Sequence, residues 1–214
     1  MKLQAWLSNE TKKITIIGCG NVGSSLAYLI TQRSNYQPDL KSLTLIDYDL
    51  LHPPNLPYIS LGYSEAIEEN FLHNPKVFAL DHELQKIMTN ESNMKIHIDY
   101  NKIINFNELD HDSLIIDCRD TGSQSDKCDF KLCQDGPFAR MILNPKDLND
   151  NGSGRYRIES NKFFAMALTM KFMLLIESLK ITEKANEFFA LRPNPYSYQW
   201  VYDFRRGDQH VTCN

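Results

Sequence analysis

The stretch Lys13-Ile14-Thr15-Ile16-Ile17-Gly18-Cys19-Gly20-Asn21-Val22-Gly23 decides the fold of this chain. Its first half is apolar and β-branched, a composition that predicts a buried strand over Ile14–Ile17. Its second half carries three glycines with the spacing G-x-G-x-x-G, and apolar residues then recur at helical spacing as far as Ile30. A strand, a glycine turn and a helix in this order are the context in which such a motif binds a nucleotide.

Each glycine of the motif has a separate physical reason. Gly18 permits the tight turn that leaves the strand, Gly20 lets the backbone approach a phosphate, and Gly23 lets the helix lie against the strand. The unpaired N–H groups and the dipole of the helix N-terminus then favour an anion. A turn with only a structural role is the simpler interpretation, but the flanking strand and helix favour nucleotide binding.

Composition places the chain among ordinary globular proteins. It has 214 residues, of which 42% are hydrophobic and 23% charged. These values suit a single domain over residues 1–214, with one flexible loop at about 149–154, where the sequence is Asn-Asp-Asn-Gly-Ser-Gly. The formal net charge is −4 and no cluster of Lys and Arg stands out, so no nucleic-acid partner is expected.

Cysteine spacing and hydropathy exclude several further classes of protein. Five cysteines are scattered along the chain without a C-x-x-C pair, which indicates reduced thiols in a cytoplasmic protein rather than a zinc clip or a disulfide framework. Among them, Cys133 is the best candidate for a reactive thiol. The longest apolar stretch, Phe163–Leu179, is interrupted by Lys171 and Glu177 and is shorter than the ~20 residues of a membrane span. It predicts a helix buried inside the protein, and no membrane association is expected.

The remaining periodicities predict an α/β fold of the Rossmann type. A second strand, Leu43–Asp47, ends in an acid, which at this place commonly holds ribose hydroxyls; an acid that only caps the next turn is the alternative. Further elements are a helix over Lys76–Met88, strands over Met94–Tyr100, Leu114–Ile116 and Phe138–Leu143, and a terminal hairpin over 199–204 and 209–212. The alternation predicts a doubly wound, mostly parallel sheet with antiparallel edge strands, in which Ile14–Ile17 lies between Leu43–Asp47 and Leu114–Ile116.

Four further segments follow the glycine motif in order. They are Leu45-Ile46-Asp47-Tyr48-Asp49, Asn55-Leu56, Pro75-Lys76 and Asp117-Cys118-Arg119-Asp120. Together with the glycine motif they resemble the superfamily of ThiF, MoeB and the ubiquitin-activating enzymes. Its members carry a strand ending D-x-D, an N-L-x-R segment, a lysine that opens the next helix and a D-C-T-D-like turn. The resemblance covers the whole chain and implies a ThiF-like fold.

The resemblance implies a site for ATP and magnesium, at which a protein C-terminal carboxylate attacks the α-phosphate and pyrophosphate leaves. It implies that Lys76 and Asp120 take part in catalysis and that Asp120 holds the magnesium ion. The implied nucleotide contacts are Gly18, Gly20, Asn21, Gly23, Asp47, Asp49, Asn55, Lys76 and Asp120. Of these, Asp47 would hold the ribose, and Asn55 and Lys76 would lie at the phosphates. Such residue types are needed because phosphoryl oxygens require a positive charge and a metal.

The departures from the family pattern concern positive charge. Tyr58 stands where the family has the arginine of N-L-x-R, and Ser125 offers no match for a later basic residue. The family's arginine-bearing N-terminal helix is expected to be absent, because Lys12 and Lys13 already begin the first strand. The sequence has no zinc-binding C-x-x-C pair, and no cysteine is typical of a thioester nucleophile. It therefore predicts a divergent ThiF-like protein that binds ATP but has weak or lost adenylating activity.

Two alternative functions stay open. One is a pseudoenzyme that keeps the fold as a scaffold for protein–protein interaction. The other is an NAD-dependent oxidoreductase, because Lys13–Ile30 also resembles the start of lactate and malate dehydrogenases, although Asn55, Lys76 and Asp120 are then unexplained. By resemblance, the expected partners are a second copy or a related chain in a dimer, and a ubiquitin-like or other small protein as substrate.

Overall fold

A computed structural model of the chain describes residues 2–52, 73–101, 104–119, 127–135, 138–143, 145, 161–181, 183–185, 198–203 and 206–213. The helices are α1 (Lys2–Ser8), α2 (Asn21–Ser34), α3 (Lys76–Ile87) and α4 (Asn161–Leu179). The strands are β1 (Lys12–Ile17), β2 (Leu40–Ile46), β3 (Lys95–Asp99), β4 (Ser113–Asp117), β5 (Phe130–Asp135), β6 (Phe138–Leu143), β7 (Tyr198–Asp203) and β8 (Asp208–Cys213).

The strands form one sheet with the order β3-β2-β1-β4-β5-β6-β7-β8. Strand β1 pairs in parallel with β2 on one side and with β4 on the other, as predicted. Strands β5 to β8 pair with one another in antiparallel fashion, so the predicted mixture of a parallel sheet and antiparallel edge strands is confirmed. The chain leaves β1 toward β2 and β3 and later returns to β4. The carboxyl end of β1 is therefore a topological switch point, where open α/β sheets bind ligands.

Helices α2 and α4 cover one face of the sheet and build the main core with it. Leu26 and Ile30 of α2 and Phe172 and Ile176 of α4 are all buried there. Phe172 meets Phe130 of β5 edge to face, with the ring centres 5.0 Å apart. The buried helix predicted from the apolar stretch is confirmed as α4.

A turn segment covers part of the other face of the sheet. Ile17, Ile46 and Ile115, from three neighbouring strands, are buried there against Phe106. Phe106 belongs to residues 104–110, which lie between β3 and β4 in the sequence. The parallel strands are thus packed between side chains on both faces. The glycine turn begins at the carboxyl ends of these strands.

Strand β3 ends the parallel side of the sheet. Its side chains alternate, with Lys95, His97 and Asp99 exposed and Ile96 and Ile98 half-buried against the main core. This is the period of two expected for a strand with one buried face. The outward positions of this terminal strand are therefore polar or charged.

The family's arginine-bearing N-terminal helix was expected to be absent, and this is wrong as regards the helix, since a helix does precede β1. Helix α1 occupies the residues before the strand and buries Leu3 and Trp6 in the main core. The Trp6 indole Nε1–H donates a hydrogen bond of 2.8 Å to the carbonyl oxygen of Lys13. Two apolar residues three positions apart are enough to dock one helical turn, and this signal is too short to be distinctive in the sequence. The helix contains no arginine.

Strand β5 was not predicted from the sequence. It carries Lys131, a residue type that argues against a buried strand, yet the Lys131 side chain is only 1% exposed. Its neighbours Phe130 and Leu132 are buried in the main core. Tertiary pairing with β4 and β6 has therefore overridden a local sequence that looked polar.

The predicted loop at 149–154 lies outside the described residues, and the single-domain organisation stays a prediction. The described part of the chain contains no helix that is both long and apolar enough to cross a membrane.

Trp6→Ala is expected to destabilise the fold. Trp6 is 4% exposed, and its ring packs in the main core with the Lys12 ammonium 5.7 Å from the ring centre. Truncation leaves a large cavity, so the free energy of unfolding should fall by about 3–5 kcal/mol in urea titration. The control is Tyr36→Ala, because Tyr36 is 86% exposed and should change stability by less than about 0.5 kcal/mol. Equal effects of both substitutions would contradict the docking of α1.

Candidate nucleotide-binding site

Gly18 begins the turn between β1 and α2 in a conformation that favours glycine. Its φ is +89°, and its N–H donates a hydrogen bond of 2.8 Å to the carbonyl oxygen of Ile46. A Cβ at this position would lie 2.8 Å from Cγ of Arg119 and 3.0 Å from its backbone nitrogen. The turn therefore passes directly over Arg119, two residues after the end of β4.

Gly23 and Gly20 differ in what surrounds them. A Cβ on Gly23 would overlap the carbonyl oxygen of Gly18, so the first turn of α2 lies directly on the glycine turn. A Cβ on Gly20 would meet no described atom within 4 Å, and its φ of −72° suits any residue. Packing thus explains the first and third glycines of the motif but not the second, which no described residue approaches closely.

Helix α2 begins directly after this glycine. Gly20 is the N-cap and supplies no side-chain hydrogen bond to the first turn, which begins at Asn21. The helix has 14 residues, so its terminal N–H groups carry the partial positive charge of a full helix dipole. This end of α2 can accept an anion through backbone groups alone.

Asp47 fastens the glycine turn to the end of β2. Its Oδ2 accepts a hydrogen bond of 2.6 Å from the Cys19 N–H, and its Oδ1 accepts one of 2.8 Å from the Asp49 N–H. The residue is 9% exposed. A carboxylate has about four acceptor positions, so two hydrogen bonds leave capacity for a ribose hydroxyl. Asp47, the acid predicted to bind the ribose, therefore lies beside the turn, and its hydrogen bonds also hold the turn in place.

Lys76 opens α3 beside the same strand end. Its Nζ lies 2.9 Å from Asp49 Oδ2, and its backbone N–H donates a hydrogen bond of 2.9 Å to the Asp49 carbonyl oxygen. An antiparallel bridge between Leu50 and Pro75 continues this pairing. The start of α3 is thus held against the end of β2, and Lys76 lies in the neighbourhood of the glycine turn.

Arg119 is held by a buried carboxylate. Its Nε and Nη2 donate hydrogen bonds of 2.9 and 3.0 Å to the two oxygens of Asp117, which is fully buried. Burial alone would lower the pKa of Arg119, but the hydrogen bonds and the charge of Asp117 outweigh it and raise that pKa. The only arginine that the structure describes next to the glycine turn therefore already neutralises a buried acid.

The structure brings together most of the predicted nucleotide contacts. Those at the carboxyl ends of β1 and β2 and the starts of α2 and α3 are Gly18, Gly20, Asn21, Gly23, Asp47, Asp49 and Lys76. Asn55 and Asp120, and with Asp120 the predicted magnesium and catalytic position, lie outside the described residues, as does Tyr58. Within the part of the chain that is described, no three His, Cys, Asp or Glu side chains are grouped as a metal site. Sequence reasoning did not foresee that Asp49 pairs with Lys76, a contact that depends on the path of the chain between them.

The cysteines near the site are buried. Burial raises the pKa of Cys19 well above its ordinary value, and the charge of Asp47 adds to this effect. Burial also raises the pKa of Cys118 strongly, and it raises the pKa of Cys128 to about 12. Cys133, the candidate for a reactive thiol, is 7% exposed on β5. These side chains have the environment of small apolar groups rather than of nucleophiles.

The sheet order, the glycine turn and the acidic end of β2 define an α/β protein with a ThiF-like fold, as predicted from the sequence. The sequence itself matches no protein-family profile and no curated protein. Among solved structures, the chain is similar to Escherichia coli MccB bound to selenomethionine MccA, with a TM-score of 0.64 and 13% identity over 99% of this chain and 66% of that chain. It is also similar to the microcin C7 biosynthetic enzyme MccB in complex with N-formylated MccA, with a TM-score of 0.61, 13% identity and coverage of 99% and 67%.

These similarities establish the fold. At 13% identity they do not by themselves carry an activity from MccB to this chain. The chain spans about two thirds of the length of MccB, since its match covers 66% of that protein.

Native Cys19, Cys118 and Cys128 are expected to resist alkylation. With iodoacetamide at pH 8, each should react at least about 10-fold more slowly than in denaturant, because one unit of raised pKa removes nine tenths of the thiolate and burial restricts access. Mass spectrometry of tryptic peptides measures each site separately. Rapid labelling of Cys19 in the folded protein would mean that this side chain is exposed to solvent, contrary to the structure.

Proposed function

We propose that the chain binds ATP with magnesium at the glycine turn, and that its adenylating activity is weak or lost. The observation that carries the proposal is that none of the described residues occupies the space beside Gly20. Gly18 and Gly23 are explained by backbone conformation and by packing, whereas no described atom requires Gly20 to lack a side chain. A ligand that approaches the backbone closely gives the second glycine its reason.

The groups around this space suit a nucleoside phosphate. The N-terminus of α2 offers backbone N–H donors to a phosphate. Asp47 retains acceptor capacity for ribose hydroxyls at the end of β2. Lys76 places an ammonium group at the start of α3, beside the same strand end. In the proposed complex Asn21 lines the nucleotide, Asp49 lies beside it as the partner of Lys76, Asn55 lies at the phosphates and Asp120 holds the magnesium ion.

The proposed reaction class is acyl-adenylate formation on a carboxylate. The carboxylate oxygen forms a bond to the α-phosphorus, and the bond from that phosphorus to the bridging oxygen breaks, so that pyrophosphate leaves. MccB, which shares the fold, has been solved with MccA. For this chain we propose a peptide or small protein with a free C-terminal carboxylate as substrate, and a dimer with a second copy or a related chain.

The charges in the described residues support weak catalysis. Negative charge grows on the α-phosphate and on the departing pyrophosphate, and an arginine that meets such charge is worth about 10³–10⁵ in rate in phosphoryl transfer. Here Arg119 is paired with the buried carboxylate of Asp117, and α1 contains no arginine. A neutral side chain such as Tyr58 donates a weaker hydrogen bond than an arginine.

Gly20→Ala is expected to weaken the binding of ATP with magnesium at least about 10-fold in calorimetry, because the new methyl group would occupy the space of a phosphate. The free energy of unfolding should change by no more than about 1 kcal/mol, since the methyl group meets no described atom. Lys76→Ala should weaken binding by about 1–3 kcal/mol, the value of a charged hydrogen bond.

The matched control is Lys86→Ala, in the last turn of the same helix, which should leave the dissociation constant unchanged. AMP and NAD are measured side by side with ATP. Tighter binding of NAD than of ATP would support an oxidoreductase instead. Absence of binding by every nucleotide would support the scaffold.

The isolated protein is expected to exchange labelled pyrophosphate into ATP very slowly or not at all. A peptide with a free C-terminal carboxylate is present in the assay, and an active adenylating enzyme serves as the positive control. The physical reason is that Arg119, the arginine described beside the glycine turn, is already paired with Asp117. Brisk exchange would mean that this chain meets the charge with other residues, such as Lys127 or Arg140.

A further inference from the structure

The ion pair between Lys76 and Asp49 carries an inference about how the proposed site takes up its ligand, and this inference rests on the proposed function. Lys76 Nζ lies 2.9 Å from Asp49 Oδ2, and the side chains are 12% and 51% exposed, respectively. The lysine is therefore nearly enclosed, while the carboxylate stands at the rim of the site. A carboxylate in this position neutralises the positive charge that a phosphate would otherwise meet.

The backbone on both sides of the ion pair is fixed independently of it. The Lys76 N–H donates to the carbonyl oxygen of Asp49, the Leu51 N–H donates to Asn74, and the His73 N–H donates to Leu51, at 2.8 to 2.9 Å. These hydrogen bonds form a short antiparallel ladder between the end of β2 and the start of α3. The ammonium group can therefore exchange one anion for another by side-chain rotation, while the backbone of α3 stays in place.

The charge of Lys76 already reaches the glycine turn. It lowers the pKa of the Cys19 thiol, against the larger raising effects of burial and of Asp47. The Asp49 backbone N–H is in turn held by Asp47 Oδ1, so the carboxylate of Asp49 extends from a fixed point. A phosphate at the N-terminus of α2 would thus compete with Asp49 for the same ammonium group.

We infer that Asp49 is a counter-ion for Lys76 that the phosphates of the nucleotide displace, so that Asp49 weakens nucleotide binding and acts only through Lys76. A triphosphate carries more negative charge than a carboxylate and takes the ammonium group, and the released Asp49, already half exposed, is readily solvated. Affinity should then rise steeply from AMP to ADP to ATP, because each added phosphate competes better.

The test is a set of variants titrated with ATP and magnesium by calorimetry. Asp49→Asn keeps the size of the side chain and the backbone ladder but removes the competing charge, so ATP should bind about 3- to 10-fold more tightly. In the Lys76→Ala background, Asp49→Asn should cause no gain. Asp39→Asn is the matched control, because Asp39 pairs with Lys12 at 3.0 Å at the opposite end of β1 and its removal should change the affinity less than 2-fold.

The outcomes separate the two proposals. If the wild-type protein binds ATP and Asp49→Asn weakens the binding in both backgrounds, Asp49 is itself a nucleotide ligand and the inference is wrong, while the proposed function stands. If neither the wild-type protein nor the Asp49→Asn protein binds ATP, the proposed function fails and the inference with it. Asp49→Ser, which should give the same gain, replaces Asp49→Asn if that variant does not fold.

Discussion

The close approach of α2 to the glycine turn is the constraint on which the site depends. The first helical turn at Gly23 lies directly on the carbonyl group of Gly18, which itself has a positive φ. The carboxylate of Asp47 then ties the next residue, Cys19, to the end of β2. These contacts fix the N-terminus of α2 relative to two neighbouring strands before any ligand arrives. A site of this kind is preorganised, so ligand binding has little backbone to order.

Charge at the site is balanced by local pairs. Lys76 forms an ion pair with Asp49, and Arg119 forms one with Asp117. The two cations that the structure places beside the turn are therefore each paired with an acid. Until a ligand displaces one of these acids, the electrostatic attraction for an anion comes largely from the helix dipole, which is weaker than a full charge. This balance fits the proposal that ATP binds with magnesium and that catalysis is weak, because the described arginine beside the turn is already paired with a buried acid.

The sequence predicted those helices and strands whose hydrophobic pattern is continuous and extends over many residues. The run Ile14–Ile17 with its glycines and the apolar helix α4 were identified within a few residues of their observed bounds. Helix α1 and strand β5 were missed because Trp6 gives too short a pattern and because Lys131 is buried by pairing with distant strands. Part of the site was predicted from the order of motifs, but no pattern shows that a lysine and an acid far apart in the sequence meet. All the implied nucleotide contacts stay predictions, and two of them, Asn55 and Asp120, lie outside the described residues.

The polar outer face of β3 has a consequence for how this protein behaves at high concentration. An edge strand presents unpaired N–H and C=O groups, and a flat apolar edge invites a strand from another molecule. Here the strand is only five residues long, and Lys95, His97 and Asp99 stand outward along it. A second molecule adding itself to this edge would have to desolvate those groups. The polar side chains along β3 therefore disfavour the repeated strand addition that leads to fibrils. Aggregation of the native state through β3 is disfavoured for the same reason.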